Sequence, residues 1–172
     1  DSPAPAAAGV ARAILVVRRL AVPEYMRSRP VRYWADPETL AQWPDAYWAE
    51  RIEVGMTREF TAALRGRLPG WTICDASCGD AAHAVSLTVD LLRLDLVRGR
   101  HALLTTAQIG VSDTVAAAPS PTRQEPLWNL STPVIADSAQ GEAQAIAVML
   151  DRLAERAAAL AERAQLPAQA VP

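Results

Sequence analysis

Ala82–Val97, AHAVSLTVDLLRLDLV, is the stretch that decides the fold. Val85, Leu87, Val89 and Leu91 share one parity, and Ser86, Thr88 and Asp90 take the other. That two-residue period belongs to an antiparallel strand with one apolar and one solvated face. Arg98-Gly-Arg100 then supplies a tight reversal into His101–Ser112, so the two segments are expected to pair as a hairpin. Before the hairpin, Trp71–Cys74 reads as a short strand. After it, Asp113–Glu125 is rich in Ala, Pro and Ser and reads as a mobile loop. Leu127–Ala136 returns as a further strand, with Pro133 demoting its end to an edge.

Helical patterns flank this sheet signal. Upstream, Asp45 is expected to cap a helix that continues to Leu68 and stops at Pro69-Gly70. Its stripe of Trp48, Ile52, Met56, Phe60, Ala63 and Leu64 advances three or four residues at a time, as one buried helix face requires. Downstream, Ser138–Gln165 carries Ile146, Leu150, Leu153, Ala157, Leu160 and Ala164 on a single seam. Burying each large aliphatic of that seam contributes about 1.5–3 kcal/mol before entropy, so the helix should dock on the sheet.

Further upstream, the β-branched run Ala13–Leu20 suits a strand covered on both faces. Pro23 and Pro30 bracket a loop, Val31–Trp34 is extended, and Asp36-Pro-Glu-Thr39 is a turn. The order strand, helix, strands, helix gives α+β, with a mainly antiparallel sheet carrying two long helices on one face as a two-layer sandwich. Residues 1–11 read as a flexible tether, 12–166 as a single domain and 167–172 as a disordered tail.

With 172 residues the chain is long enough to bury a core without metals or a disulfide lattice. One Phe, three Tyr and five Trp leave Leu, Ile and Val to build that core. A net charge of −2 argues against a nucleic-acid ligand, whose phosphates call for a basic excess. No apolar run approaches the roughly 18 residues of a bilayer span. Nor does Asp1–Gly9 look like a signal peptide, since it lacks both a charged leader and an apolar core. The two histidines, His83 and His101, sit in no catalytic or metal-binding motif, and no glycine-rich phosphate or dinucleotide signature occurs. The chain is therefore read as a non-enzyme with no catalytic, cofactor-binding or metal-binding residues.

Two short motifs carry a family resemblance. Val22-Pro-Glu-Tyr-Met26 is followed by Tyr47-Trp-Ala-Glu-Arg-Ile52, a helix, and Leu68-Pro69. The series resembles the "VPxYL", "RWAEPL" and "LP" landmarks of the PqiC-like auxiliary lipoproteins of ABC-type transport systems. Here Met26 replaces the Leu, Tyr47 the Arg, and Arg51-Ile52 the Pro-Leu. The resemblance implies a fold like the TolB N-terminal domain. It also implies a lipidated cysteine just upstream of Asp1, anchorage at the outer membrane facing the periplasm of a Gram-negative envelope, and an MCE-domain partner in lipid transport. Phospholipid is a possible ligand on this reading. A lipid-carrying domain and a Tol-type or outer-membrane-biogenesis scaffold are the rival readings.

Cys74 and Cys78 are the only thiols. Their spacing is not the CxxC of zinc sites, although Asp80 and His83 follow closely. An oxidising periplasm, implied by the resemblance, favours a bridge over free structural thiols. Bridging would need a turn, because four extended steps span about 13 Å whereas bridged Cα atoms lie within about 7 Å.

Tyr25, Tyr33, Trp34, Trp43, Tyr47 and Trp48 crowd into one part of the chain. Such residues fill cores or anchor interfaces. Trp48 is assigned to the core and at least one of Trp34 and Trp43 to the surface. The exposed members of Tyr25, Arg27, Trp34, Trp43 and Arg51 are the partner-binding candidates. Arg12, Arg18, Arg19, Arg27, Arg29 and Arg32 against Glu24 make residues 12–32 basic. A solvated strand face explains that excess more simply than steering toward anionic headgroups.

Overall fold

A computed structural model describes residues 13–75, 84–113 and 123–165. In chain order its elements are β1 (Ala13–Val17), β2 (Pro30–Asp36), β3 (Thr39–Tyr47), α1 (Ile52–Arg67), β4 (Trp71–Cys74), β5 (Ala84–Val97), β6 (Ala102–Asp113), β7 (Arg123–Gln124), β8 (Trp128–Pro133) and α2 (Ala139–Gln165). The expected tether 1–11, most of the loop after Asp113, and the tail 167–172 lie outside the described residues.

The hairpin expected from the alternation is the spine of an eight-stranded mixed sheet, with β5 and β6 paired from Val85↔Asp113 to Val97↔Ala102. One β5 residue is extra: Leu91 pairs with Ala107 and Arg93 with Thr106, leaving Leu92 as a bulge that is 56% exposed. The bulge reverses the parity of the strand. Leu87, Val89 and Leu91 are buried before it, and Leu94 and Leu96 after it. A 3-10 turn at Arg98–Arg100 and a left-handed His101 make the reversal into β6.

Each outer edge of this hairpin is shared by short strands. On the β5 side, β1 pairs beside residues 84–87 and β2 meets Val97 through Trp34. On the β6 side, β8 pairs with residues 102–107 and β7 with 110–111. The sheet is less antiparallel than expected, because β1 runs parallel to both neighbours, β4 and β5. Parallel neighbours need a long crossover. Between β1 and β4 that crossover includes α1, whereas β2 and β3 form the antiparallel hairpin around the expected Asp36-Pro-Glu-Thr39 turn. There the Glu38 amide donates to Asp36 Oδ1 at 2.9 Å.

The first helix starts later than the stripe suggested. Asp45 does not cap it. That residue lies in β3 with φ 51°, and Arg51 takes the N-cap position. Pairing overrides periodicity here: Pro30 is opposite Tyr47, and the Trp48 amide donates to the Arg29 carbonyl at 2.9 Å, holding the chain extended to that point. Ile52, Met56, Phe60 and Leu64 are buried as expected, while Trp48 is half-buried against the core. The second helix packs on α1, β5, β6 and β8. All of the expected α2 seam from Ile146 to Leu160 is buried.

Candidate functional site

The 3-10 turn at Glu24–Met26 gives the Val22–Met26 motif a structural meaning. Pro23 precedes the turn, and its carbonyl accepts the Met26 amide at 3.0 Å. Met26 is thereby buried in the core, and Tyr25 reaches Asp95 on β5. One carboxylate oxygen of Asp95 accepts the Tyr25 hydroxyl and, at 3.0 Å, the Trp34 indole N–H. Its other oxygen accepts Arg93 Nε at 2.5 Å. The Leu94 amide donates to the Tyr25 oxygen at 3.2 Å. The Tyr25 and Trp34 rings meet edge to face with centroids 5.8 Å apart, a favoured aromatic geometry. Burial, and then the neighbouring Asp95 carboxylate, raise the Tyr25 hydroxyl pKa far above its ordinary value.

This knot supports one wall of a cleft of about 380 Å³. Trp34, Arg93, Val97, Arg100 and Leu104 are among its lining residues. Arg93 and Leu104 also border a neighbouring depression of about 270 Å³ that reaches Asn129 and Ser131. Arg93, Asp95 and Val97 alternate with the buried Leu94 and Leu96, and Leu104 with Leu103 and Thr105, so this is the sheet face turned away from the main core.

Of the Trp34 and Trp43 pair, Trp43 is buried, and half-buried Trp34 is the member that borders a surface cleft. Trp43 is 8% exposed, and its indole N–H donates to Glu142 Oε2 at 2.9 Å. Its ring lies 4.5 Å from that of Tyr33, and the Arg98 guanidinium stacks over both, 5.1 Å from Tyr33 and 4.7 Å from Trp43. Asp137 holds Arg98 in place, accepting Nε at 2.9 Å and Nη2 at 2.9 Å. Glu142, in the first turn of α2, is fully buried, and its Oε1 has no hydrogen-bond partner. Burial pushes its carboxyl pKa up to about 7, only partly opposed by the Trp43 hydrogen bond. A helix N-terminus favours a carboxylate by about 0.3–1 kcal/mol, which is too little to reverse that desolvation.

Of the five partner-binding candidates, only Trp34 lines the open-face cleft, and Tyr25 braces it. Arg27 is exposed and pairs with Glu24 at 3.2 Å. Arg51 is exposed at the start of α1, 3.8 Å from Glu53. The sequence reading missed Asp95, Arg93, Arg100 and Leu104. The signal that could have found Asp95 was a carboxylate placed between Leu94 and Leu96 on a strand.

A second, apolar cleft of about 220 Å³ lies between the helices, lined by Trp48, Ile52, Met56, Ile146 and Leu150 among others. Among the described residues no group of three or more His, Cys, Asp or Glu side chains could hold a metal. No described helix is long and apolar enough to cross a membrane. Cys74 closes β4 as a disulfide-bonded residue, while Cys78, Asp80 and His83 lie outside the described residues.

Together, an eight-stranded mixed sheet and two helices define an α+β protein shared with solved structures of low sequence identity. The chain matches, over residues 1–158, the family of ABC-type transport auxiliary lipoprotein components, and it belongs to that family. It is similar to the crystal structure of an uncharacterized protein at 17% identity and TM-score 0.73, covering 86% of this chain and 91% of that one. It is also similar to protein XCC0632 of Xanthomonas campestris, of the DUF330 family, at 15% identity and TM-score 0.68, covering 95% and 91%. The hypothetical protein CT253 of Chlamydia trachomatis aligns at 12% identity and TM-score 0.52, covering 88% and 96%. These likenesses concern the fold alone. No curated protein matches the chain in sequence.

Proposed function

We propose that this chain is a non-enzymatic periplasmic lipoprotein subunit that assists an ABC-type, MCE-containing system moving lipids between the membranes of a Gram-negative envelope. It acts by binding the MCE protein, and a lipid on a cysteine upstream of Asp1 holds it at the outer membrane. The observation that carries this reading is membership of the auxiliary lipoprotein family over residues 1–158. The same reading keeps the two-layer, TolB-like architecture; the inward row from Leu87 to Leu96 and the packing of α2 on β5, β6 and β8 support its two layers.

The contact surface on this reading is the open sheet face around Trp34, Arg100 and Leu104. Trp and Arg beside an apolar floor are the residue types that dominate interface energetics. Trp43 drops out of the interface, since truncating it would open the core. The lipid-carrier alternative draws support from the cleft between the helices, but about 220 Å³ falls short of the roughly 300–1,000 Å³ of small-molecule sites.

The test is capture of an MCE-domain protein of the same system by Arg100→Glu and Leu104→Glu variants with unchanged melting temperatures. Loss of a central anchor should weaken binding by about 2 kcal/mol or more. Intact capture by both variants, with phospholipid co-purifying stoichiometrically, would replace this reading with the carrier.

A further inference from the structure

The basic excess of residues 12–32 has a second aspect that the partner surface leaves unused. Arg18 and Arg19 follow β1 and diverge. Arg18 Nε donates to Ser86 Oγ at 3.2 Å, whereas Arg19 lines a different cleft, of about 460 Å³, against α1. On the helix side that cleft is lined by Val54, Thr57, Arg58, Thr61 and Arg65, which recur at the three- and four-residue steps of one helix face. Val17 belongs to the apolar part of the lining. Asp75 enters beside it because β4 runs parallel to β1, with Val16 opposite Cys74.

The walls are held by hydrogen bonds independent of any ligand. The Leu20 amide donates to Thr57 Oγ1 at 3.0 Å, fixing the chain after β1 onto the helix. Thr57 Oγ1 donates to the Glu53 carbonyl at 2.6 Å, and Thr61 Oγ1 to the Thr57 carbonyl at 2.7 Å. The hydroxyls are therefore committed to the scaffold, and the arginines are the groups left to meet a ligand. Arg58 is shared with Glu50 and Glu59. Arg19 and Arg65 make no ion pair with any described carboxylate, although both line the same cleft. Arg19 and Arg65, without a described acidic partner, outnumber Asp75, the one acid of the lining, and mark a local positive field in a chain of net charge −2. Arg65 follows Thr61 by one turn on the same helix face, and both line the cleft.

We propose that the cleft between Arg19 and Arg65 binds a phosphate-bearing anion. The planar fork of each guanidinium matches two phosphate oxygens, and Val17 and Val54 leave an apolar margin beside the charge. A free phosphate and a phospholipid headgroup share this chemistry. The site lies on other elements than the Trp34 surface and stands or falls independently of the partner reading.

The test uses the soluble chain at about 0.1 M salt, where exposed charges more than about 10 Å apart are largely screened. Inorganic phosphate is titrated calorimetrically, and vesicles of phosphatidylglycerol in phosphatidylcholine are compared with phosphatidylcholine alone by co-sedimentation. Arg19→Glu and Arg65→Glu should each weaken whichever probe binds by about tenfold or more, as expected for a lost charge-assisted bond. The control is Arg152→Glu, an equal charge change at an exposed arginine of α2. Phosphate binding alone assigns the site to a free anion, and vesicle binding assigns it to a headgroup. Failure of the native chain to bind either probe overturns the proposal, as does an Arg152→Glu variant that loses as much as the other two. Circular dichroism melts confirm that each variant is folded.

Discussion

Replacing Glu142 by Gln should remove a pH dependence of folding that the native chain carries near neutrality. The buried carboxyl has its pKa raised from the ordinary 4.5 to about 7. Its folded form therefore holds a proton over a range in which the unfolded chain has already lost one. Stability is fully present below the unfolded pKa, falls as pH rises from about 4.5, and levels off above about 7. At about 1.36 kcal/mol per pKa unit, the total loss across that window is about 3 kcal/mol. Gln keeps the shape and an oxygen for the Trp43 indole N–H, but it has no proton to lose. Urea unfolding at a series of pH values between about 5 and 8 should show native stability falling while that of the Gln variant stays nearly flat. Asp36 and Asp137 do not confuse the result. Hydrogen bonds from the Glu38 amide and from Arg98, respectively, hold their pKa values below the usual range, so their contribution is lost only as pH falls into acid. An equal fall with pH in the native and Gln proteins would refute the reasoning, because the sensitivity would then belong to other groups.

Gly141→Ala should destabilise the start of α2 by about 1–3 kcal/mol or more, because an added Cβ would lie 1.9 Å from the Ala136 carbonyl oxygen and the backbone would have to move. An unchanged melting temperature would refute this close approach. Cys74 and Cys78 are proposed to bridge, contributing about 2 kcal/mol through loop closure before any strain. Intact mass after alkylation without reductant should show no labelled cysteine in chain made in an oxidising compartment, and two labels on folded protein would rule the bridge out.

Local pattern made several elements legible. The alternation of Val85, Leu87, Val89 and Leu91 against polar neighbours marked β5, and the Arg98-Gly-Arg100 reversal marked its hairpin with β6. The seam from Ile146 to Leu160 marked α2, and Asp36-Pro37 marked the turn between β2 and β3. Each of these signals is set within a few residues by strand or helix period and by turn chemistry, so a linear reading reaches it. The start of α1 escaped because Trp48 falls on the same four-residue stripe as Ile52. A hydrogen bond to Arg29 keeps that part of the chain extended. The parallel pairing of β1 escaped as well, since nothing in a five-residue apolar strand states the direction of its neighbours.

The candidate site was less legible than the fold. The sequence by itself determined the apolar faces of both helices and of the central hairpin, along with the motifs around Tyr25 and Trp48. Tertiary structure decided which aromatics stay near solvent and which acids meet them. Trp43 joins Glu142 across 99 positions, and Tyr25 joins Asp95 across 70. A tryptophan on a half-buried strand suits either face, and the choice is made when its N–H finds a carboxylate from a distant element. The physical reason is that periodicity reports how a residue is oriented on its own element, whereas burial and hydrogen bonding depend on which elements the completed sheet brings together.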